Sequence, residues 1–246
     1  MVQPFTLNKV QSKFLLEDST GMDIILKARQ QGFSSLSLAM FTTDFLEMEN
    51  SESAVVADIS DNAEGLLSRV KYYIQSWEKI TGKKAPLKYN SKYELYNPKL
   101  NTKFIIGTAE NVEFGRSKTL RNLLLSEAAF YREFRKLLAG ALQAVVPTGR
   151  VVIETTANGF NDFKEFWDES ERCETGFKPN FYAASAFYDT DFLELKKKQL
   201  RKTYKQEYPE TALEAFLTSG ELYFEAEALE YYMLNEKQPT KGGIYV

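Results

Sequence analysis

The residues of this 246-residue chain that could do chemistry lie where three predicted strands end. The first set combines a cation, Lys27 or Arg29, with Gly32 and the hydroxyl of Ser34. Backbone N–H groups at a helix start can surround a phosphate, the cation can neutralise it, and the serine can bind Mg²⁺. The usual pattern G-x-x-x-x-G-K-[ST] is absent, because Phe33 stands at its lysine and its first glycine is missing. An ordinary turn from strand to helix is the alternative interpretation.

The second set is Ser126 and Glu127, which follow the apolar run Leu123–Leu125 at the end of the predicted strand Leu120–Leu125. A carboxylate beside a phosphate can polarise an attacking water. Ser126 stands where a metal-holding aspartate is usual, so its hydroxyl would act on the metal through water. The alternative is a helix-capping serine followed by a solvated glutamate.

The third set follows the β-branched run Val151–Ile153 and contains Thr155, Thr156 and Asn158. A polar side chain there could sense a terminal phosphate, although Asn158-Gly159 also fits an ordinary turn. Ligands of open parallel sheets bind at the carboxyl ends of strands, and all three sets lie at such ends. Together they predict a nucleotide-phosphate site.

Two further charged features have both a functional and an ordinary interpretation. Arg116 lies in a loop before the second set and could complete a phosphate site, in its own subunit or a neighbouring one, or could be simply solvated. The basic stretch Lys196–Lys205 is flanked by Glu194 and Glu207, which favours a solvated helix face over a DNA contact.

Composition excludes several classes of function. The chain has no histidine, which excludes histidine-dependent catalytic triads and histidine metal sites within it. Its single cysteine allows no internal disulfide and favours an intracellular protein. Its net charge of −3 gives no global attraction to nucleic acid, so such contacts need local patches. No apolar run reaches the ~18 residues of a membrane span, so no membrane partner is expected.

Strands and helices that alternate along the chain predict an α/β fold with a mainly parallel sheet flanked by helices. The predicted strands are Met22–Leu26, Ser53–Ile59, Leu120–Leu125, Arg150–Thr155 and Asn180–Ala186, with an antiparallel edge pair Lys92–Tyr96 and Lys103–Gly107. Predicted helices are a short one carrying Gln11, then 34–49, 61–80 with Asp61 as N-cap, 130–145, 160–171, 191–204 and 209–216. Pro147–Gly149 is predicted to be a turn.

The composition shifts after the last predicted strand, which suggests a division of the chain. We expect a core over residues 1–189, a small helical lid subdomain over 190–237, and the start of a linker over 238–246.

Taken in order, the three sets resemble the motifs of one family. Leu26–Ser35 resembles a deviant Walker A, Leu123–Ala129 resembles a Walker B with its catalytic glutamate, and Thr155–Gly159 resembles a coupling motif. Gln206–Phe224 resembles a segment found beyond the ATPase core. The set is similar to the N-terminal ATPase domain of the large terminase subunit of tailed bacteriophages, which has a P-loop NTPase-type sheet with a C-terminal helical lid.

The resemblance implies ATP and Mg²⁺ as cofactors and a role for each motif residue. Glu127 would activate water, Arg116 would reach a neighbouring subunit's ATP, Ser34 and Ser126 would serve the metal, and Thr156 and Asn158 would couple hydrolysis to movement. The implied ATP-binding residues are Gln11, as a Q motif, and Lys27, Ala28, Arg29, Gln30, Gln31, Gly32, Phe33, Ser34 and Ser35.

The resemblance also implies a motor that packs double-stranded DNA into a procapsid, as a homo-oligomeric ring on the portal protein and with a small terminase subunit. It would act in the host cytoplasm, transiently at the procapsid portal, and would be absent from the mature virion. A terminase nuclease domain is not expected within this chain. The alternatives are a helicase-type nucleic-acid ATPase, or a weakly catalytic DNA-binding module with a degenerate phosphate loop.

Overall fold

The computed structural model describes residues 5–114 and 118–218, together with Tyr231 and Asn235. It contains an eight-stranded sheet in the order β3-β4-β5-β2-β6-β7-β1-β8. The strands are β1 Met22–Lys27, β2 Glu52–Ala57, β3 Tyr89–Asn90, β4 Glu94–Asn97, β5 Thr102–Thr108, β6 Leu120–Ser126, β7 Val145–Thr155 and β8 Lys178–Tyr182.

Six of these strands run parallel, from β5 through β2, β6, β7 and β1 to β8. The short strands β3 and β4 add an antiparallel edge beside β5, which confirms the predicted antiparallel pair. The central strands read as nearly continuous apolar runs because both faces of a parallel sheet are covered. The predicted α/β class with a mainly parallel sheet is confirmed.

Successive strand residues supply opposite faces of the sheet and so build two cores. Leu123 and Leu125 belong to one core and Leu124 belongs to the other. The first core packs against α4 Phe134–Leu142, α5 Asp162–Glu171 and α8 Ala212–Thr218, and the second against α1 Lys9–Lys13, α2 Phe33–Glu47 and α3 Ser60–Thr81.

The remaining helical segments are three single turns and two helices. A π-helical turn covers Phe14–Asp18, and 3₁₀ turns cover Ala128–Phe130 and Arg201–Thr203. Helices α6 Thr190–Leu200 and α7 Tyr204–Glu207 follow β8. Within the described residues, no helix is both long enough and apolar enough to cross a membrane. The predicted linker 238–246 and the terminase-like residues Ser219, Gly220 and Phe224 lie outside the described residues.

Tertiary contacts shift several predicted helix boundaries. Asp61 is not an N-cap: that position is Ile59, and Asp61 lies in the first turn, where a carboxylate suits the helix dipole. The helix predicted over 130–145 is shorter, because Tyr131 is extended and its hydroxyl is bonded to the carbonyl oxygens of Val56 and Ser126. The chain becomes helical only at Phe134.

Two predictions based on proline were also wrong. Pro209 does not open a helix, because its carbonyl accepts the Ala184 N–H at 2.9 Å and helix α8 starts only at Ala212. Pro147–Gly149 is not a turn but part of β7. A Cβ on Gly149 would lie 2.9 Å from the Arg121 carbonyl oxygen, so the glycine permits close strand approach.

Candidate functional site

A cleft of about 740 Å³ opens at the carboxyl ends of β1, β2, β6 and β7. Residues from all three predicted sets line it, including Lys27, Ser34, Ser126, Glu127 and Thr156. The structure therefore brings the three strand-end junctions together around one space. The other lining residues are Arg29, Gln30, Gln31, Gly32, Ser35, Asp58, Asp61, Asn62, Gly65, Leu66, Arg69 and Phe130.

The loop between β1 and α2 is shaped by Gly32, whose φ of +83° places it in the left-handed region at the N-cap of α2. A Cβ there would lie 2.7 Å from the side-chain nitrogen of Gln11. That nitrogen donates to the Gly32 carbonyl oxygen at 2.7 Å, and Asn8 Nδ2 donates to the Gln31 carbonyl oxygen at 3.0 Å. Helix α1 therefore holds this loop, and the first-turn N–H groups of α2 have no helical acceptors of their own.

In the structure, the side chain of Gln11 is bonded to the loop between β1 and α2. Its side-chain oxygen accepts the Asn8 N–H at 3.0 Å while its nitrogen holds Gly32, so both ends of its amide have protein partners. Adenine recognition by Gln11 stays a prediction.

The side chains of Phe33 and Ala28 point away from the cleft. Phe33 is fully buried, with its ring centroid 5.8 Å from that of Phe14 and 4.6 Å from that of Tyr182. Ala28 packs with Ala184 in a separate apolar cluster. A charged lysine at position 33 would lie inside the core, so position 33 could not present a cation to the cleft.

Lys27 lies in the floor of the cleft between two carboxylates. Its Nζ is 3.1 Å from Glu154 Oε2 and 3.3 Å from Glu127 Oε1, and its side chain is 5% exposed. Burial alone would lower the pKa of Lys27, but attraction to Glu154 and Glu127 outweighs it and raises the pKa above the ordinary value. Lys27 is therefore a fixed positive charge at this point.

Arg29, the other predicted cation, is held by Glu207 of α7 and by Tyr188, which lies just before α6. Its Nε pairs with Glu207 Oε2 at 2.5 Å, and its carbonyl oxygen accepts the Tyr188 hydroxyl at 2.7 Å. Its side chain remains 60% exposed at the edge of the cleft. Lys27 is thus the buried cation of the pair, and Arg29 the solvent-facing one.

Glu127 reaches the cleft from an unusual backbone position. Its φ of +57° places it in the left-handed region directly after β6, and its side chain is 33% exposed. Its Oε2 accepts the Thr156 N–H at 3.2 Å, with the hydroxyls of Thr155 and Thr156 at 3.4 Å. Strain of this kind is tolerated where surrounding contacts over-determine a functional conformation.

The third junction links to the same residues. Asn158 donates through Nδ2 to the Ala129 carbonyl oxygen at 3.2 Å, two residues beyond Glu127. Asn161 donates to the same oxygen at 2.8 Å. The turn after β7 is thus bonded both to the Glu127 carboxylate and to the backbone that follows it.

Sequence reasoning missed Glu154, which is fully buried at the end of β7. Its Oε1 accepts hydrogen bonds from Ser34 Oγ at 2.7 Å and Ser126 Oγ at 2.6 Å. Burial would raise the pKa of Glu154, but Lys27 and these two hydroxyls lower it below the ordinary value, so the group is a carboxylate. The sequence did contain a signal: Glu154 lies in a predicted central strand, where an acid is rarely buried unless a charged or hydrogen-bonding partner faces it.

Sequence reasoning also missed Arg69, which lines the cleft from α3. Its Nη1 donates to Ser35 Oγ at 2.9 Å, so a third cation stands near the helix N-terminus. Arg116 lies outside the described residues.

The donor set around Ser34 fits a small, hard cation. Two serine hydroxyls and a carboxylate converge there, and oxygen ligands are those that Mg²⁺ prefers. No cluster of three acidic, cysteine or histidine side chains that could hold a metal exists among the residues described. Mg²⁺ at phosphate sites is bound by one or two carboxylates together with phosphate oxygens and waters, so this set suffices.

The fold and the cleft define the class of architecture: a mainly parallel α/β sheet flanked by helices, with a polar cleft at the carboxyl ends of its central strands. No protein-family model matches the chain, and no curated protein matches its sequence.

Several solved structures do match the structure of this chain, and they identify its fold more specifically. The large terminase ATPase domain of Thermus phage P74-26 superposes with a TM-score of 0.58 at 16% identity, covering 84% of this chain and 92% of that one. The HK97 bacteriophage large terminase gives 0.67 at 13% identity, covering 85% and 50%. The large terminase of a thermophilic bacteriophage, in complex with ADP, gives 0.61 at 13% identity, covering 82% and 53%. The chain therefore has the fold of phage large terminase ATPase domains, as its motifs predicted, and spans about half of the latter two chains.

Proposed function

We propose that this chain is the ATP-hydrolysing motor domain of a phage large terminase, which moves double-stranded DNA into a procapsid. One observation carries the proposal: Lys27 and Glu127 meet at 3.3 Å in the cleft that follows a phosphate-type loop. In support, the terminase of the thermophilic bacteriophage, which shares this fold, has structures in complex with ATP-gamma-S and with ADP.

The phosphates of ATP would lie over the N-terminus of α2. The first-turn amides and the positive end of the helix dipole favour an anion there, and Lys27 supplies the buried positive charge. Arg29 faces the same space from its edge. Mg²⁺, when bound with the nucleotide, would offset the charge of the phosphate oxygens, and Ser34 stands at the place to hold it.

Glu127 is the proposed general base, which orients the attacking water. Its carboxylate is partly exposed to the cleft, while Lys27 and the Thr156 N–H fix it in position. A base that is held but still solvent-accessible can accept a hydrogen bond from water beside the terminal phosphate.

The segment Thr155–Gly159 is the proposed coupling element. Thr156 contacts Glu127, and Asn158 contacts the backbone just beyond it, so a shift of Glu127 on phosphate loss would be transmitted to the start of α5. The C-terminal helices receive a second link, since Arg29 pairs with Glu207 on α7. The division into a core over 1–189 and a lid over 190–237 is part of this proposal.

The assembly belongs to the proposal as well. The motor would work as a homo-oligomeric ring on the portal protein, with a small terminase subunit, in the host cytoplasm and transiently at the procapsid portal. Arg116 would reach the ATP of the neighbouring subunit. An arginine supplied from a neighbour stabilises transition-state charge and can raise turnover by about 10³-fold or more.

The experiment compares wild type, Glu127→Gln and a matched control, Glu133→Gln, for binding and hydrolysis of ATP with and without duplex DNA. Glu133 is a half-exposed acid six residues along the chain and lies outside the cleft. We expect Glu127→Gln to bind ATP but to lose hydrolysis by about 10²-fold or more, and Glu133→Gln to match wild type.

Three outcomes count against the proposal. Equal turnover in wild type and Glu127→Gln excludes Glu127 as the base. ATP-dependent strand separation without duplex translocation supports a helicase-type ATPase instead. DNA binding with no ATP turnover in any variant supports a binding module with a degenerate phosphate loop.

A further inference from the structure

A buried carboxylate, Glu154, lies beside the end of β6, although β6 itself ends in a serine and carries no acid there. Strand β6 ends in Ser126, at the place where a phosphate-loop ATPase usually has the aspartate that holds its metal. Strand β7 lies beside it in parallel, and the Cα partner of Ser126 in that pair is Glu154. Directly opposed residues of neighbouring strands project to the same face, so Glu154 reaches the space beside the short serine side chain.

The contacts of Glu154 are those expected of the missing aspartate. Its Oε1 accepts a hydrogen bond at 2.7 Å from the hydroxyl of Ser34, the serine in the first turn of α2 that is proposed to serve the metal. It also accepts the hydroxyl of Ser126 at 2.6 Å. One carboxylate oxygen therefore joins the phosphate loop to the end of β6, across two neighbouring strands.

The second oxygen of Glu154 has unused capacity. Its Oε2 pairs with Lys27 Nζ at 3.1 Å, and no other described residue donates to this fully buried oxygen. An ionised carboxylate has about two acceptor sites on each oxygen, so one site on Oε2 remains beside the ion pair with Lys27. A cation with its waters would satisfy it.

We propose that Glu154 supplies the carboxylate that holds the divalent cation of the nucleotide site, replacing from β7 the acid that β6 lacks at Ser126. The proposal rests on the proposed function, because it requires that the cleft binds nucleotide. It differs from a purely structural role, in which Glu154 serves only as the counter-ion of Lys27.

The test moves the acid back to β6. The variants are Glu154→Gln, which keeps the shape but removes the charge, and the double variant Ser126→Asp/Glu154→Gln. The matched control is Asp23→Asn, another fully buried acid of the same sheet, which bonds Ser19 and Thr20 near the start of β1. The dissociation constant of a fluorescent ADP is measured in EDTA and in excess Mg²⁺. The ratio of the two values, called the Mg²⁺ enhancement, measures how much the metal strengthens nucleotide binding. Circular dichroism melting checks folding.

Glu154→Gln is expected to bind ADP in EDTA as wild type does, and to lose most of the Mg²⁺ enhancement. Removing a carboxylate that orients the direct ligands of a metal, here the Ser34 hydroxyl and bound waters, weakens metal binding by about 10- to 100-fold. The double variant regains the enhancement, and Asp23→Asn keeps it. If Glu154→Gln does not fold, a folded double variant with a wild-type ratio still supports the proposal.

Two results overturn the inference while leaving nucleotide binding intact. One is an unchanged Mg²⁺ ratio in Glu154→Gln, and the other is a double variant that folds but shows no enhancement. If neither variant folds, Glu154 is a structural counter-ion and the proposal also fails. A wild-type chain that binds no ADP in either condition instead refutes the proposed function itself.

Discussion

Replacing Lys27 with methionine removes the positive charge between Glu154 and Glu127 but keeps the length of the side chain. Glu154 is fully buried and would be left without a counter-charge. Breaking a buried ion pair in this way costs about 3–5 kcal/mol. In a chain of this size each kcal/mol lowers the melting temperature by about 2–4 °C, so Lys27→Met should melt about 6–20 °C below wild type.

A second variant separates this cost from phosphate binding. Lys27→Met/Glu154→Gln removes both charges and should regain more than half of the lost melting temperature. It should still bind ADP in EDTA about 10- to 100-fold more weakly than Glu154→Gln alone, since a hydrogen bond to a charged group contributes about 1.5–3 kcal/mol. Differential scanning fluorimetry and fluorescence titration give the two numbers.

The matched control is Lys164→Met. Lys164 is another largely buried lysine, paired with Asp168 on α5 and outside the cleft, so its loss should leave ADP affinity unchanged. The reasoning is refuted if Lys27→Met melts with wild type, or if the double variant binds ADP as tightly as Glu154→Gln.

The remaining predictions concern the support of the phosphate loop. Phe33→Ala should lower the free energy of unfolding by about 3–5 kcal/mol, and Phe33→Lys should lower it further because it buries a charge. Phe33→Lys should not tighten ATP binding, and a gain in affinity would contradict the buried placement of Phe33. Gln11→Ala removes bonds to Gly32 and Asn8, so stability should fall by about 1–3 kcal/mol and ADP affinity should drop; wild-type values would show that α1 does not hold the loop. For Asp18→Asn, burial would raise the pKa of Asp18, but Lys13 and Tyr182 lower it below 3.8. Its stabilisation is therefore present above that pH and lost as pH falls through the lowered value, so wild type and variant should converge in acid denaturation; a gap that persists in acid excludes this linkage.

The central sheet could be predicted from the sequence because parallel strands covered on both faces are apolar at nearly every position. Leu123–Leu125 and Ile24–Leu26 both show this pattern, and both lie in strands. The helix ends could not be predicted in the same way. Helix α4 begins only at Phe134, after Tyr131 has bonded the carbonyl oxygen of Val56, which is 75 residues away in sequence, and no local propensity records that contact.

The site was predictable where strand ends carry polar residues, and not where register decides the contact. Ser34, Ser126 and Glu127 follow apolar runs and could be identified from the chain alone. Glu154 becomes meaningful only when β7 aligns it with Ser126, which depends on strand order and pairing. Phe33 departs from the usual lysine for a reason that also appears only in three dimensions, since its side chain fills the core beside Phe14.

The most direct test of the account is a crystal structure of the chain with ATP-gamma-S and Mg²⁺. We expect the β- and γ-phosphates over the N-terminus of α2, with Lys27 Nζ within hydrogen-bond distance of a phosphate oxygen and Glu127 facing the γ-phosphate. A nucleotide bound elsewhere, or a Lys27 that still contacts only its two glutamates beneath a bound nucleotide, would contradict it.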